Sequence, residues 1–158
     1  MLITEGFRDI YEIGRVNRPD AYNLFFSKHV PLVPRSQRHE VSERLRADGS
    51  LHKPLDEDRV RVLARQLKAE NIEAVAVLLL HSYRNPDHER RVKAILQEEI
   101  PGAFVCASHE LSQEYREFER VSTAVANSYV GPRVSEYLGE LEHHLSDKGF
   151  EGDFYAVQ

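Results

Sequence analysis

Only one cysteine, Cys106, occurs in 158 residues, so no internal disulfide staples the chain, and burial of apolar side chains has to hold a domain of this size. Long apolar runs are absent as well. The longest, Ala74 to Leu80, has seven residues. That is about a third of what a membrane-spanning helix needs, so no membrane partner is expected. There is no excess of positive charge either: 21 Lys and Arg stand against 26 Asp and Glu, for a formal net charge of −5. This leaves no broad basic field for nucleic acid or an anionic membrane surface. With no secretory signal, the cytoplasm is the expected compartment. The sequence also lacks a nucleophile elbow, a P-loop, a dinucleotide fingerprint, a paired-cysteine zinc motif and any internal repeat.

What is present is organised around Ile72 to Glu89. The run Ala74 to Leu80 reads as a strand buried on both faces, the kind found in parallel sheets with helices on each side. Asn85 is placed to cap a following helix, and Pro86 fits its first position. Asp87 and Glu89 set negative charge against the positive end of that helix. In open α/β sheets ligands sit beyond the carboxyl ends of the strands, which puts His81, Ser82, Tyr83 and Arg84 where chemistry is expected.

The rest of the chain reads in the same class. Met1 to Thr4 looks like the tail of a strand, with Thr4 capping a short helix through Phe7, Ile10 and Tyr11 that Gly14 ends. Arg15 to Pro34 reads as a long irregular connection. Its Leu24, Phe25 and Phe26 either dock on another domain or subunit or close the domain's own core. Ser36 to Leu55 has the pattern of a β-hairpin, with Val41 and Leu45 on one face of the first strand and a turn at Ala47 to Ser50. Asp56 caps a helix stapled by Leu55 and Val60, with Val60, Leu63, Ala64 and Leu67 turned inward and Asn71 at its end. Val92, Ile95 and Leu96 line the next helix, which stops at Pro101-Gly102. Ala103 to Ala107 is expected as a second strand, laid parallel to the first by a right-handed crossover and delivering Ser108, His109 and Glu110 to the same edge as His81.

Ser112 is expected to cap a helix over residues 113–130, and Gly131-Pro132 to break it. A further helix carries Val134, Tyr137, Leu138, Leu141 and Leu145 up to Lys148-Gly149, and Asp153 to Gln158 reads as a last strand. The expected architecture is α/β, a mostly parallel sheet flanked by helices with an N-terminal helix, a long loop and a β-hairpin. It occupies residues 1–158 as a single domain, and both ends read as cut, the mark of an internal fragment of a longer polypeptide.

Two groups of side chains could carry chemistry. His81, His88 and His109 sit at two adjacent strand ends and in the helix between them, so three imidazoles could hold a zinc ion; equally, His81 could fix a turn by hydrogen bonding to backbone. The helix after Ser112 crowds Glu114, Arg116, Glu117, Glu119, Arg120, Ser122, Thr123 and Asn127 together. This is either a solvated face with pairs such as Glu117 and Arg120, or a cleft in which Arg116 or Arg120 with Thr123 and Asn127 meets an oxygen-rich ligand.

Several stretches carry a resemblance along essentially the whole chain and in order. They are Thr4-Glu5-Gly6-Phe7-Arg8-Asp9 with Ile13-Gly14-Arg15, Asn17-Arg18-Pro19-Asp20, Leu32-Val33-Pro34-Arg35, His81-Ser82-Tyr83-Arg84-Asn85-Pro86, Ser108-His109-Glu110, and Glu119-Arg120 with Asn127. The sequence resembles the N-terminal region of the hydantoinase A and 5-oxoprolinase family, whose members include N-methylhydantoinases and the acetone carboxylase β subunit.

The resemblance implies part of an actin-like ATPase chain and an ATP-dependent hydrolase that uses magnesium and phosphorylates the ring carbonyl of a cyclic amide before water attacks it. Hydantoin, N-methylhydantoin and 5-oxoproline are the implied substrates, and a second, hydantoinase B-type subunit or domain the implied partner. The Gly/Thr-rich phosphate-binding hairpin expected before Thr4 and the larger nucleotide-binding portion expected after Gln158 are not in this sequence, so the chain by itself is expected to be inactive. Arg8, Asp9, His81, Arg84, His109, Glu110, Arg120, Thr123 and Asn127 are the residues expected near the parent's cleft. The competing expectations are a scaffold that holds the partner subunit and an ATP-dependent ketone carboxylase.

Overall fold

The computed structural model describes residues 1–15, 20, 22–27 and 30–155. In chain order the elements are β1 (Leu2–Thr4), α1 (Ile10–Ile13), β2 (His39–Val41), β3 (Arg44–Leu45), β4 (Leu51–Lys53), α2 (Glu57–Ala69), β5 (Ala74–Leu78), α3 (Asp87–Glu99), β6 (Phe104–Ala107), α4 (Ser108–Leu111) and α5 (Glu117–Asp147), with a short 3-10 turn at Arg35–Gln37. The four-stranded sheet has the order β2-β1-β5-β6 and every pairing in it is parallel. Alternation along the strands sends side chains to two cores. Leu2, Val41, Val75, Val77, Leu79 and Val105 pack against α2 and α3. Ile3, Ala76, Leu78 and Cys106 pack against Tyr11 of α1 and Val121, Ala124 and Val125 of α5. Covering both faces of β5 is what its unbroken apolar sequence requires, and each buried Val or Leu contributes roughly 1.5–3 kcal/mol.

Local signals explain the flanking helices. Asp56 accepts from the Arg59 amide at 2.9 Å and so caps α2. Asn71 takes a left-handed φ of 55° just past the end of α2, and Gly14 does so after α1 with φ 60°. Asn85 accepts from the Asp87 amide at 3.0 Å just ahead of α3, whose N-cap is Pro86.

Five expectations are corrected. The stretch from Ser36 to Leu55 is not one hairpin: β2 joins the edge of the main sheet beside β1, and only β3 and β4 pair antiparallel, so Val41 and Leu45 belong to different strands. Thr4 caps no helix. Its hydroxyl donates to the Glu43 carboxylate and accepts from the Leu80 amide, tying the ends of β1 and β5 together, because a buried polar strand end satisfies its neighbours first. The helix expected from Gln113 begins at Glu117, after the separate turn of α4, and Ser112 instead accepts locally from the Glu114 amide at 3.3 Å.

Gly131-Pro132 does not break the helix: α5 runs unbroken from Glu117 to Asp147. Proline there removes one amide donor, while Gly131 meets a packing demand rather than a turn, since a Cβ on it would lie 2.4 Å from Phe104 Cζ. Gly131→Ala is therefore expected to lower stability by about 1–3 kcal/mol in urea unfolding, through overpacking against the Phe104 ring and despite the higher helix propensity of alanine. Adding Phe104→Leu is expected to restore part of that loss. Finally, Asp153 to Tyr155 form no strand, and residues 156–158 lie outside the described residues, as does part of the Arg15–Pro34 connection. Within that connection Leu24 and Phe25 are more than nine-tenths exposed, so they do not close this domain's core.

Candidate active site

Four strands pointing the same way bring Thr4, Glu43, His81 and Ser108 to one edge of the molecule. The β3–β4 hairpin folds over it. Its tip touches the loop after β5, where Asn85 donates to the Gly49 carbonyl at 3.1 Å and Arg84 packs against Gly49. Below the hairpin, Glu43 accepts from Thr4 and meets His88 Nδ1 at 2.7 Å.

Beside this lies a second buried polar group. Glu89, on the first turn of α3, is fully buried and accepts from the Leu79 amide at 2.7 Å, Ser108 Oγ at 2.7 Å, and the His109 amide and ring nitrogen at 2.9 and 2.8 Å. Arg120 of α5 is equally buried. It donates to Ser82 Oγ, to Ser108 Oγ at 3.0 Å and to the Leu79 carbonyl at 3.3 Å, and its guanidinium lies 5.5 Å from the Tyr83 ring centre. Ser108 thus links a buried carboxylate to a buried guanidinium, fixing the ends of β5 and β6 to α3 and α5.

Burial alone would push the Glu89 carboxyl up, but the donors from His109, Leu79 and Ser108 outweigh it and hold the carboxyl below its ordinary value of 4.5. Burial pulls the Arg120 guanidinium down, with Glu89 acting against that shift. Because Glu89 is more acidic folded than unfolded, the unfolded chain binds more protons on the acid side. Its contribution is complete above pH 4.5 and is lost as pH falls through the folded value. Urea midpoints measured against pH are expected to fall below pH 4.5 in the native chain and to fall less steeply in Glu89→Gln.

Above this support stands the loop from His81 to Asn85. His81 adopts a left-handed φ of 58°, uncommon for a residue with a side chain, and its Nδ1 is buried without a hydrogen-bond partner. Its carbonyl accepts from the Arg84 and Asn85 amides at 2.9 and 3.1 Å, and its ring stands edge-on to Tyr83 with centres 6.1 Å apart. Tyr83 is half-buried and Arg84 exposed.

The structure gathers His81, Arg84, His109 and Arg120 at this edge and sets the other expected residues elsewhere. Asp9 pairs with Arg35 at 2.8 Å, and Arg8 lines a separate recess with Arg35. Glu110 is held by Lys93 at 2.7 Å on the outer side of α3. Thr123 donates to the Glu119 carbonyl of its own helix, and Asn127 donates to Cys106 Sγ at 3.2 Å within the sheet–helix packing. His88 and His109 each face a different carboxylate, and among the described residues no three His, Cys, Asp or Glu side chains converge to hold a metal; the three-imidazole zinc expectation is not met.

From the sequence, Glu89 reads only as a charge at the start of its helix and Glu43 has no role, whereas both are buried. Glu89 shares the 89, 92, 96 spacing of the buried face of α3, the signal by which it can be found, while Glu43 carries no local signal. A nucleotide and its magnesium find no cradle among the described residues, whose glycines stand singly rather than in a phosphate loop and among which no three His, Cys, Asp or Glu side chains converge. No described helix is long and apolar enough to cross a membrane.

Residues 1–100 match the family described as the hydantoinase/oxoprolinase N-terminal region. The chain belongs to this family. It is 42% identical over its whole length to an uncharacterized protein of Methanocaldococcus jannaschii, covering 23% of that protein. It is 32% identical to caprolactamase subunit alpha of Pseudomonas jessenii over 94% of this chain and 22% of that one, and 34% identical to the acetophenone carboxylase gamma subunit of Aromatoleum aromaticum over 99% and 23%. The chain therefore spans less than a quarter of the length of these relatives. Its fold matches the crystal structure of the ATP-dependent caprolactamase of Pseudomonas jessenii with a TM-score of 0.86, covering 96% of this chain and 22% of that one. It matches nucleotide-free acetone carboxylase with a TM-score of 0.83 at 30% identity, covering 97% and 23%.

Proposed function

We propose that this chain forms one wall of the substrate cleft in an ATP-dependent enzyme that opens a cyclic amide such as hydantoin, N-methylhydantoin, 5-oxoproline or caprolactam, working with a second, hydantoinase B-type subunit or domain. The observation that carries this reading is the loop from His81 to Arg84. An exposed guanidinium and an imidazole whose buried Nδ1 has no partner stand at the carboxyl edge of a parallel sheet, on a support of buried ionic hydrogen bonds. Opening an amide ring places negative charge on the carbonyl oxygen, and fixed donors aimed at that oxygen lower the barrier most when they do not have to reorganise. Arg84 and Tyr83 are the donors this chain offers, while Glu89, Ser108 and Arg120 hold the loop that carries them. The dependence on ATP rests on the likeness to the ATP-dependent caprolactamase, and no residue of this chain is assigned to the nucleotide.

A second reading, ATP-dependent carboxylation of a ketone, is favoured by the 34% identity to the acetophenone carboxylase gamma subunit. ADP release by the complete enzyme containing this chain, in magnesium, separates the two. Stimulation by a cyclic amide without bicarbonate is expected; stimulation only by a ketone together with bicarbonate contradicts the hydrolase reading and establishes the carboxylase.

A further inference from the structure

A recess of about 430 Å³ opens beside β2 and is walled by α2 and by the turn after β1. Four arginines line it, Arg8, Arg35, Arg38 and Arg59, against the single carboxylate of Glu40. Part of this charge is already matched. Asp9 forks onto Arg35 at 2.8 and 3.2 Å, Glu12 meets Arg38 at 2.9 Å, and Glu40 is occupied by the Gly6 amide. Arg8 and Arg59 make no ion pair among the described residues. His39, between them on β2, has a buried Nε2 with no hydrogen-bond partner, so one polar atom of the wall is left for something the recess would hold. Burial lowers the His39 pKa, with the Met1 amine, Arg59 and Arg8 acting in the same direction and Glu70 against them, so at neutral pH the ring is uncharged and one of its nitrogens carries a proton to donate.

We propose that this recess is a binding site for a small oxyanion, a carboxylate or a phosphate, gripped by the Arg8 and Arg59 guanidinium groups and by His39 Nε2–H. Two guanidinium forks match the paired oxygens of either group, and the volume accommodates a ligand larger than a bare ion. The lining shares no residue with the edge that carries His81, so the site stands whether or not that edge is catalytic.

Calorimetric titration of the full chain with inorganic phosphate and, separately, with glutarate tests it, alongside NMR of the His39 ring. Saturable binding of phosphate, of glutarate or of both, with a shift of the His39 ring signals, is expected and names the anion. Arg8→Gln and Arg59→Gln are each expected to weaken it at least about tenfold. Arg59 is exposed on α2, so its variant should keep the native circular dichroism. Absence of binding for both anions at millimolar concentration, or unchanged affinity in both variants, overturns the proposal.

Discussion

Glu89→Ala is expected to be the most damaging single substitution in this chain, lowering unfolding free energy by about 3–5 kcal/mol in urea. Four donors converge on this carboxylate, the Leu79 amide, Ser108 Oγ, and the amide and ring of His109, and none has room to turn to water in a site without exposure. Removing the carboxylate also leaves the buried Arg120 guanidinium without its nearby countercharge. Glu89→Gln keeps the shape and part of the hydrogen bonding, so it is expected to fall between the native chain and the alanine variant. An alanine variant within about 1 kcal/mol of native would mean that the network contributes little.

Arg120→Met is expected to cost about 2–4 kcal/mol, although methionine fills much of the same apolar space. The guanidinium binds three acceptors just past the ends of two strands, the Ser82 and Ser108 hydroxyls and the Leu79 carbonyl, and it faces the Tyr83 ring. Because Ser108 touches both Arg120 and Glu89, the two substitutions are expected to be non-additive by about 0.5–3 kcal/mol in a double-mutant cycle. Additivity would show that the two charges stabilise the domain independently.

How far the sequence reveals this architecture depends on how local each signal is. The buried strand at Ala74, the cap at Asp56, the left-handed exit at Asn71 and the parallel placement of β6 all rest on short-range patterns, and the structure has each of them. Long-range pairing is where local reasoning fails. Nothing near His39 to Val41 says that it will add to β1 rather than fold back as a hairpin, because that choice is made by a strand more than thirty residues away. Gly131-Pro132 reads as a stop until the Phe104 ring is seen against the glycine.

At the candidate site the pattern repeats. The rule that ligands gather at carboxyl ends locates His81, Arg84 and His109, but it cannot show that Arg120, read from a helix wheel as a surface or cleft residue, is fully buried beneath them. Charged residues are rarely buried without partners, and the partners here come from the segment after β5 and from the start of α4.

In the proposed function the loop from His81 to Arg84 faces the substrate, while the network beneath it only holds the loop in place. The most direct test is turnover by the complete enzyme carrying Arg84→Ala or His81→Ala, with subunit assembly and thermal stability of the same variants measured alongside. Turnover lowered at least about a hundredfold, with assembly intact and the melting temperature close to native, is the predicted result. Native turnover in both variants, or turnover lost only because the subunits no longer assemble, would contradict the assignment and make this edge a scaffold for the partner.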